Sequence, residues 1–290
     1  MQDPAIEVQN LWKSYGPNKL TFSVPRGAIS GFLGPNGAGK TTTMRILMGF
    51  AHAEGTAKML GVAAGSTHEI FRKVAFVPEI KDLYPYATAF EMIKLTRGFY
   101  PDWDSALEQQ LIDLWEIPLR TRCPKLSKGT KGRLAILLAV CRRPELLVLD
   151  EPTDGLDPVA TEDALRLLVE MVAERGATVF FSTHHLSEVE QIADHVVMIK
   201  RGQCVLQGEL DHMRQTYRRV RCVLQDTLAD RPVDLPLALA HWRREGRFLT
   251  GYSPEDAETL HSKLEGSGIE VLESEPASLK EIFLEQMERV

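Results

Sequence analysis

The 290-residue chain contains no apolar run approaching the roughly 18 to 20 residues that cross a bilayer. Its opening MQDPAIEVQN also lacks the basic start and apolar centre of a signal peptide. Any dealing with a membrane is therefore expected to run through a partner. Basic excess is missing as well: 34 Lys and Arg stand against 40 Asp and Glu, a net charge of −6. No nucleic-acid partner is expected, because sequence-independent binding to a polyanion needs a positive surface. Cysteine is sparse, with Cys123, Cys141, Cys204 and Cys222 scattered, no CxxC, and no His at metal-ligand spacing. That usage suits structural thiols in a reducing cytosol. Internal repeats and low-complexity segments are absent too.

What is present is enough apolar composition, 44%, to bury a sizeable core in one large and one small domain. IEVQNLW and LTFSVP read as opening strands, and AISGFL as a buried one. VAFVPE, LLVLD and TVFFS are short, apolar and β-rich, as parallel strands covered on both faces are. Residues 87–141 are mostly helical by spacing, with Asp104 as one cap, and TEDALRLLVEMVAERG is an amphipathic helix ending on Gly176. Strands alternating with helices of this length predict an α/β fold around a largely parallel sheet. The hairpin HVVMIKRGQCVLQGE closes this block, so residues 1–208 form the first domain. Residues 209–290 read as a small α+β appendage whose last helix opens on a capping box, Ser278 with Glu281. That helix places Leu279, Ile282, Phe283, Met287 and Val290 on one face. Within the appendage, a basic stretch from Arg218 to Arg221 reads as a solvated edge strand guarded by charge.

Chemistry concentrates in a few places. Residues Gly34, Pro35, Asn36, Gly37, Ala38, Gly39, Lys40 and Thr41 spell the phosphate-loop pattern, with Thr42 following, between a predicted strand and a predicted helix. Inward-turned amides and a helix N-terminus make an anion cradle there. Lys40 is placed to reach the β- and γ-phosphates of ATP, and the Thr41 hydroxyl to ligate the accompanying magnesium. At the end of LLVLD, Asp150 is a second magnesium ligand, while Glu151 is suited to orient or deprotonate an attacking water. A second anion site stands in LSKGTKGR, where Ser127, the Gly129 amide and a helix dipole offer half a cradle.

In this combination, residues 6–208 resemble the ATP-binding cassette family, the motor subunits of ABC transporters, and their P-loop fold with an antiparallel β subdomain and a helical subdomain. The resemblance assigns Tyr15 in KSYG to adenine stacking and Glu79 in VPE to a position where a coupling glutamine is usual. A carboxylate at that position suits a magnesium contact or repels phosphate. Ser127, Lys128, Gly129 and Thr130 match the family signature, in which glycine and glutamine are usual where Lys128 and Thr130 stand. Asp157 in DGLDP matches the loop crossing between two ATP sites, and His184 in STHH the histidine that contacts the γ-phosphate. The resemblance implies a homodimer or heterodimer of ATPase subunits closed around two ATP molecules, with each signature meeting the opposing nucleotide. It also implies a separately encoded permease in the membrane, and a location in the cytoplasm at the membrane's inner face. Alternatives are a soluble ABC ATPase of DNA repair or translation, opposed by the missing coiled-coil insertion, and a regulatory module that binds ATP only to dimerise.

Overall fold

A computed structural model describes residues 3–12, 19–66, 70–224, 240–253, 257–264 and 269–288. The chain divides into Met1–Gln207 and Gly208–Val290. The first unit contains β1 (Ile6–Trp12), β2 (Leu20–Val24), β3 (Ile29–Leu33), α1 (Lys40–Leu47), β4 (Glu54–Met59), β5 (Val62–Ala63), α2 (Ile70–Lys73) and β6 (Val74–Val77). There follow α3 (Ala89–Arg97), α4 (Ser105–Leu114), a 3-10 turn at Cys123–Lys125, α5 (Lys128–Val140), β7 (Leu146–Asp150), α6 (Pro158–Arg175), β8 (Thr178–Ser182), α7 (Leu186–Ile192), β9 (His195–Lys200) and β10 (Gln203–Glu209), whose last two residues fall beyond the boundary.

One sheet has the order β2-β1-β4-β5 and another β10-β9-β3-β8-β7-β6. In the second, β3, β6, β7, β8 and β9 are paired in parallel. β3, β7 and β8 are buried at every position, which explains their mostly apolar sequences. Phe22 of β2 stacks on Phe32 and Phe180, with ring centroids 5.4 and 5.9 Å away, so the two sheets share one core. Parallel strands point their carboxyl ends the same way, and four of these ends carry the loops after Leu33, Val77, Asp150 and Ser182. A crevice at the carboxyl ends of an α/β sheet is where ligands are held.

The helical stretch delivers α3, α4 and α5. Asp104 caps α4 by accepting from the Leu107 amide at 3.0 Å, and Gly176 closes α6 at φ 63°. Within the second unit lie α8 (Leu210–Thr216), β11 (Arg218–Leu224), β12 (Ala240–Glu245), β13 (Phe248–Ser253), α9 (Ala257–Leu264), β14 (Ile269–Pro276) and α10 (Leu279–Glu288). The sheet order is β12-β13-β11-β14, so β11 is central and the expectation of an edge strand is corrected. Its ion pairs supply the reason: Arg221 meets Glu273 on the neighbouring β14 at 3.8 Å and Arg219 meets Glu281 on α10 at 3.6 Å, so its charges are paired as well as solvated. Alternate residues Val220, Cys222 and Leu224 are fully buried. Ser278 and Glu281 form the reciprocal cap of α10. On that helix Leu279 and Ile282 are buried, but so are Glu285 and Gln286, while Phe283 and Met287 are half-buried and Val290 lies outside the described residues.

Candidate nucleotide site

Between β3 and α1 the chain turns through Gly37 at φ 79° and Gly39 at φ 111°, a left-handed backbone that side chains resist. Lys40 folds back and donates from Nζ to the Gly34 carbonyl at 2.7 Å, in a position only 8% exposed. Gly34 itself is packed too tightly for any side chain, since a Cβ there would stand 2.5 Å from the Ile199 carbonyl. Ala38 is buried. Pro35, Asn36, Gly37, Gly39, Lys40, Thr41 and Thr42 face a cleft of about 480 Å³.

The opposite wall of that cleft comes from other strand ends: Glu79 beyond β6, Glu151 and Asp154 beyond β7, and His184 beyond β8. The register pairs Asp150 with Ser182 across β7 and β8. Accordingly Ser182 Oγ donates to Asp150 Oδ1 at 2.6 Å, and the Glu151 amide donates to Ser182 Oγ at 3.1 Å and to the Ser182 carbonyl at 3.2 Å. Glu151 adopts φ 47°, a costly conformation for a residue with a side chain, held by these long-range contacts. Its Oε2 lies 2.8 Å from His184 Nδ1 and accepts from the His184 amide at 3.3 Å. With Glu151 ionised, the ring contact requires the proton on Nδ1. Beneath both loops the buried Glu188 accepts from the hydroxyls of Thr153 at 3.0 Å and Thr183 at 2.7 Å.

Asp150 Oδ2 is buried with no hydrogen-bond partner. An unpaired carboxylate oxygen in such a place suits a cation. Asp150 is not itself among the described residues lining the cleft, whereas Thr41 and Glu79 are, with Thr41 Oγ1 3.5 Å from Glu79 Oε2. No group of three or more His, Cys, Asp or Glu placed to hold a metal occurs among the described residues. These oxygens fit magnesium that brings phosphate and water as its other ligands.

Among the described residues lining the cleft, none comes from the signature. Ser127 instead caps α5, accepting from the Thr130 amide at 3.1 Å, and lies 2.8 Å from the Thr130 hydroxyl. Gly129 packs on the Asp154–Asp157 turn so closely that a Cβ would meet the Gly155 carbonyl at 2.7 Å. Lys128 Nζ donates to Asp154 Oδ2 at 2.6 Å, and this bond holds the Asp154 carboxyl below the usual carboxylate range. Asp157 caps α6 through the Ala160 amide at 3.0 Å and is not among the cleft-lining residues. Tyr15 lies outside the described residues.

Sequence reasoning passed over Asp154, Ser182 and Lys81. The first two stand inside the quoted DGLDP and just before His184, so the strand-end rule was signal enough. Lys81 carries no such signal, yet its Nζ donates to the Glu151 carbonyl at 2.8 Å. Burial pulls its ammonium below the usual lysine range against the opposing pull of Asp154.

Residues 17–154 match the ABC transporter family, and residues 120–190 match an AAA domain. The ABC transporter ATP-binding protein YtrB of Bacillus subtilis is 28% identical over 96% of this chain and 97% of its own length. The bacitracin transport ATP-binding protein BcrA of Bacillus licheniformis is 35% identical over 74% of this chain and 72% of its own. A solved ATP-binding subunit of an ABC transporter superposes with a TM-score of 0.65 at 31% identity, covering 72% of this chain and 92% of that one. With a phosphate loop facing carboxylates at the strand ends and relatives of this likeness, the chain belongs to the ATP-binding, ATP-hydrolysing subunits of ABC transporters.

Proposed function

We propose that the cleft hydrolyses ATP with Glu151 as the base and that two such subunits close around two nucleotides to drive an integral membrane partner. The observation that carries this is the Glu151 carboxylate, clamped by His184 at 2.8 Å on the wall opposite the phosphate loop. The backbone amides of Asn36 to Thr42 and the Lys40 ammonium hold the phosphates, with Gly34 and Pro35 shaping the turn, and the Tyr15 ring stacks on adenine. Thr41, Asp150 and Glu79 hold magnesium, which when bound neutralises charge building on the transferred phosphoryl group. Glu151 accepts the proton of the attacking water, and His184 keeps that carboxylate aimed and contacts the γ-phosphate.

The signature lines no part of its own chain's cleft among the described residues, which supports a role on an opposing nucleotide. Ser127, Lys128, Gly129 and Thr130 present the end of α5 to that phosphate, and the Asp157 loop crosses between the two sites. The pair is a homodimer, or a heterodimer with a related subunit. ATP then acts as interface adhesive that hydrolysis removes, and the difference in interface free energy moves the permease. No helix among the described residues is long and apolar enough to cross a membrane. The subunit works from the cytoplasmic face through that partner, as the transport ATP-binding relatives suggest. Residues 209–290 are an accessory unit, and no nucleic acid takes part.

Glu151→Gln tests the reading. It should bind ATP with parental affinity, turn over about 100-fold more slowly or worse, and accumulate an ATP-bound dimer on gel filtration. Hydrolysis at the parental rate would remove Glu151 from the mechanism.

A further inference from the structure

We propose that Lys81 is a positioning residue for hydrolysis, holding the main chain of Glu151 so that its carboxylate stays aimed into the cleft. The inference rests on the assignment of Glu151 as base. Three of that residue's polar groups are held from outside its own loop: the amide by Ser182, the carboxylate by His184, and the carbonyl by Lys81 at 2.8 Å. Within the loop the same carbonyl accepts only a longer bond, 3.3 Å, from the Asp154 amide. At φ 47° the backbone of Glu151 sits in a sparsely populated well, and it stays there only if its surroundings over-determine it. Releasing the carbonyl lets the peptide between Glu151 and Pro152 rotate and the carboxylate swing with it.

The placement of Lys81 separates this role from phosphate binding. Lys81 is not among the described residues that line the nucleotide cleft. Its ammonium contacts a carbonyl, with Asp154 close enough to attract it and Asp154 itself bonded to Lys128 at 2.6 Å. Lys81 therefore acts on the base rather than on the substrate. It also stands two residues beyond Glu79, so a displacement of the loop after β6 is passed directly to the Glu151 backbone.

The test uses the purified full-length chain with saturating ATP and magnesium. Lys81→Met should lower kcat by about tenfold to a hundredfold, the worth of one charge-assisted hydrogen bond, with KM for ATP changed less than about twofold. Lys81→Arg, which keeps the donor, should recover kcat to within about threefold. Added to Glu151→Gln, the methionine substitution should slow residual turnover no further, because it acts through the group already removed. Lys81→Gln provides the same comparison if the methionine variant does not fold. Parental kcat in Lys81→Met, a loss confined to KM, or an undiminished loss in the Glu151→Gln background would each overturn the assignment. Parental turnover in Glu151→Gln alone would instead defeat the reading of Glu151 itself, a separate result.

Discussion

At the residue scale the site depends on backbone that side chains would obstruct. Gly129 is the clearest case outside the phosphate loop, because a Cβ there would come within 2.7 Å of the Gly155 carbonyl. Contact with backbone rather than with a flexible side-chain end leaves little room to adjust. Gly129→Ala is therefore expected to push α5 away from the Asp154–Asp157 turn and lower stability by about 1 to 3 kcal/mol, the usual cost of overpacking. Turnover should fall with it. The check is a urea titration with an ATPase assay, and an unchanged midpoint would mean that the turn yields. The glycine was legible as part of a signature, but its steric reason was not, since the opposing carbonyl belongs to a different segment. Lys128 shows the same limit. Read in sequence it is a departure from a glycine; in the fold it is bonded to Asp154, 26 residues away.

At the scale of elements, helix ends carry more than local capping. Asp104 caps α4 and also receives Arg175 at 2.7 Å and Arg143 at 3.2 Å, which ties that helix to α6 and to the end of α5. Burial pushes its carboxyl up, but the Leu107 amide and the two guanidiniums outweigh this and hold it below the ordinary range. Its folded pKa thus lies below its unfolded one. The stability it supplies is present above the unfolded value of about 3.9 and is lost as pH falls through the folded one. The urea midpoint should accordingly drop more steeply between about pH 5 and pH 3 in the parent than in Asp104→Asn. Parallel acid limbs would contradict the assignment. Asp104 was readable as a cap because capping is a relation among adjacent residues. Its two arginine partners were not, because they come from the end of α6 and from the turn after α5.

At the scale of the molecule, each unit has its own core. Ile6, Phe22, Phe32, Met44 and Phe180 belong to one cluster, and Val220, Cys222, Leu249 and Leu260 to another. Separate cores predict separate cooperative transitions in calorimetry, with a calorimetric enthalpy above the van't Hoff value for a single step. ATP should raise the transition of the first unit and leave the other in place. One two-state transition shifted as a whole by ATP would argue against independent cores. In the second unit α8 and β12 escaped sequence reading, the first being a single short stretch and the second, AHWRRE, lacking clean alternation. The misplacement of β11 as an edge has a related cause: alternating arginines look the same on an edge strand as on a central strand whose outer face meets glutamates.

The amino-acid sequence alone determined the phosphate loop, the strand-end acids and the parallel α/β core, because each depends on neighbours a few residues apart. Glycines at left-handed turns, apolar five-residue strands and a helix N-terminus are properties of short windows. Tertiary structure alone decided what surrounds Glu151. Register between β7 and β8 brought Ser182 and His184 to it, and the loop after β6 brought Lys81 across a separation of 70 residues. A hydrogen bond acts over about 3 Å regardless of how much chain lies between its ends, so a lysine unremarkable in sequence becomes part of the site only once the sheet has formed.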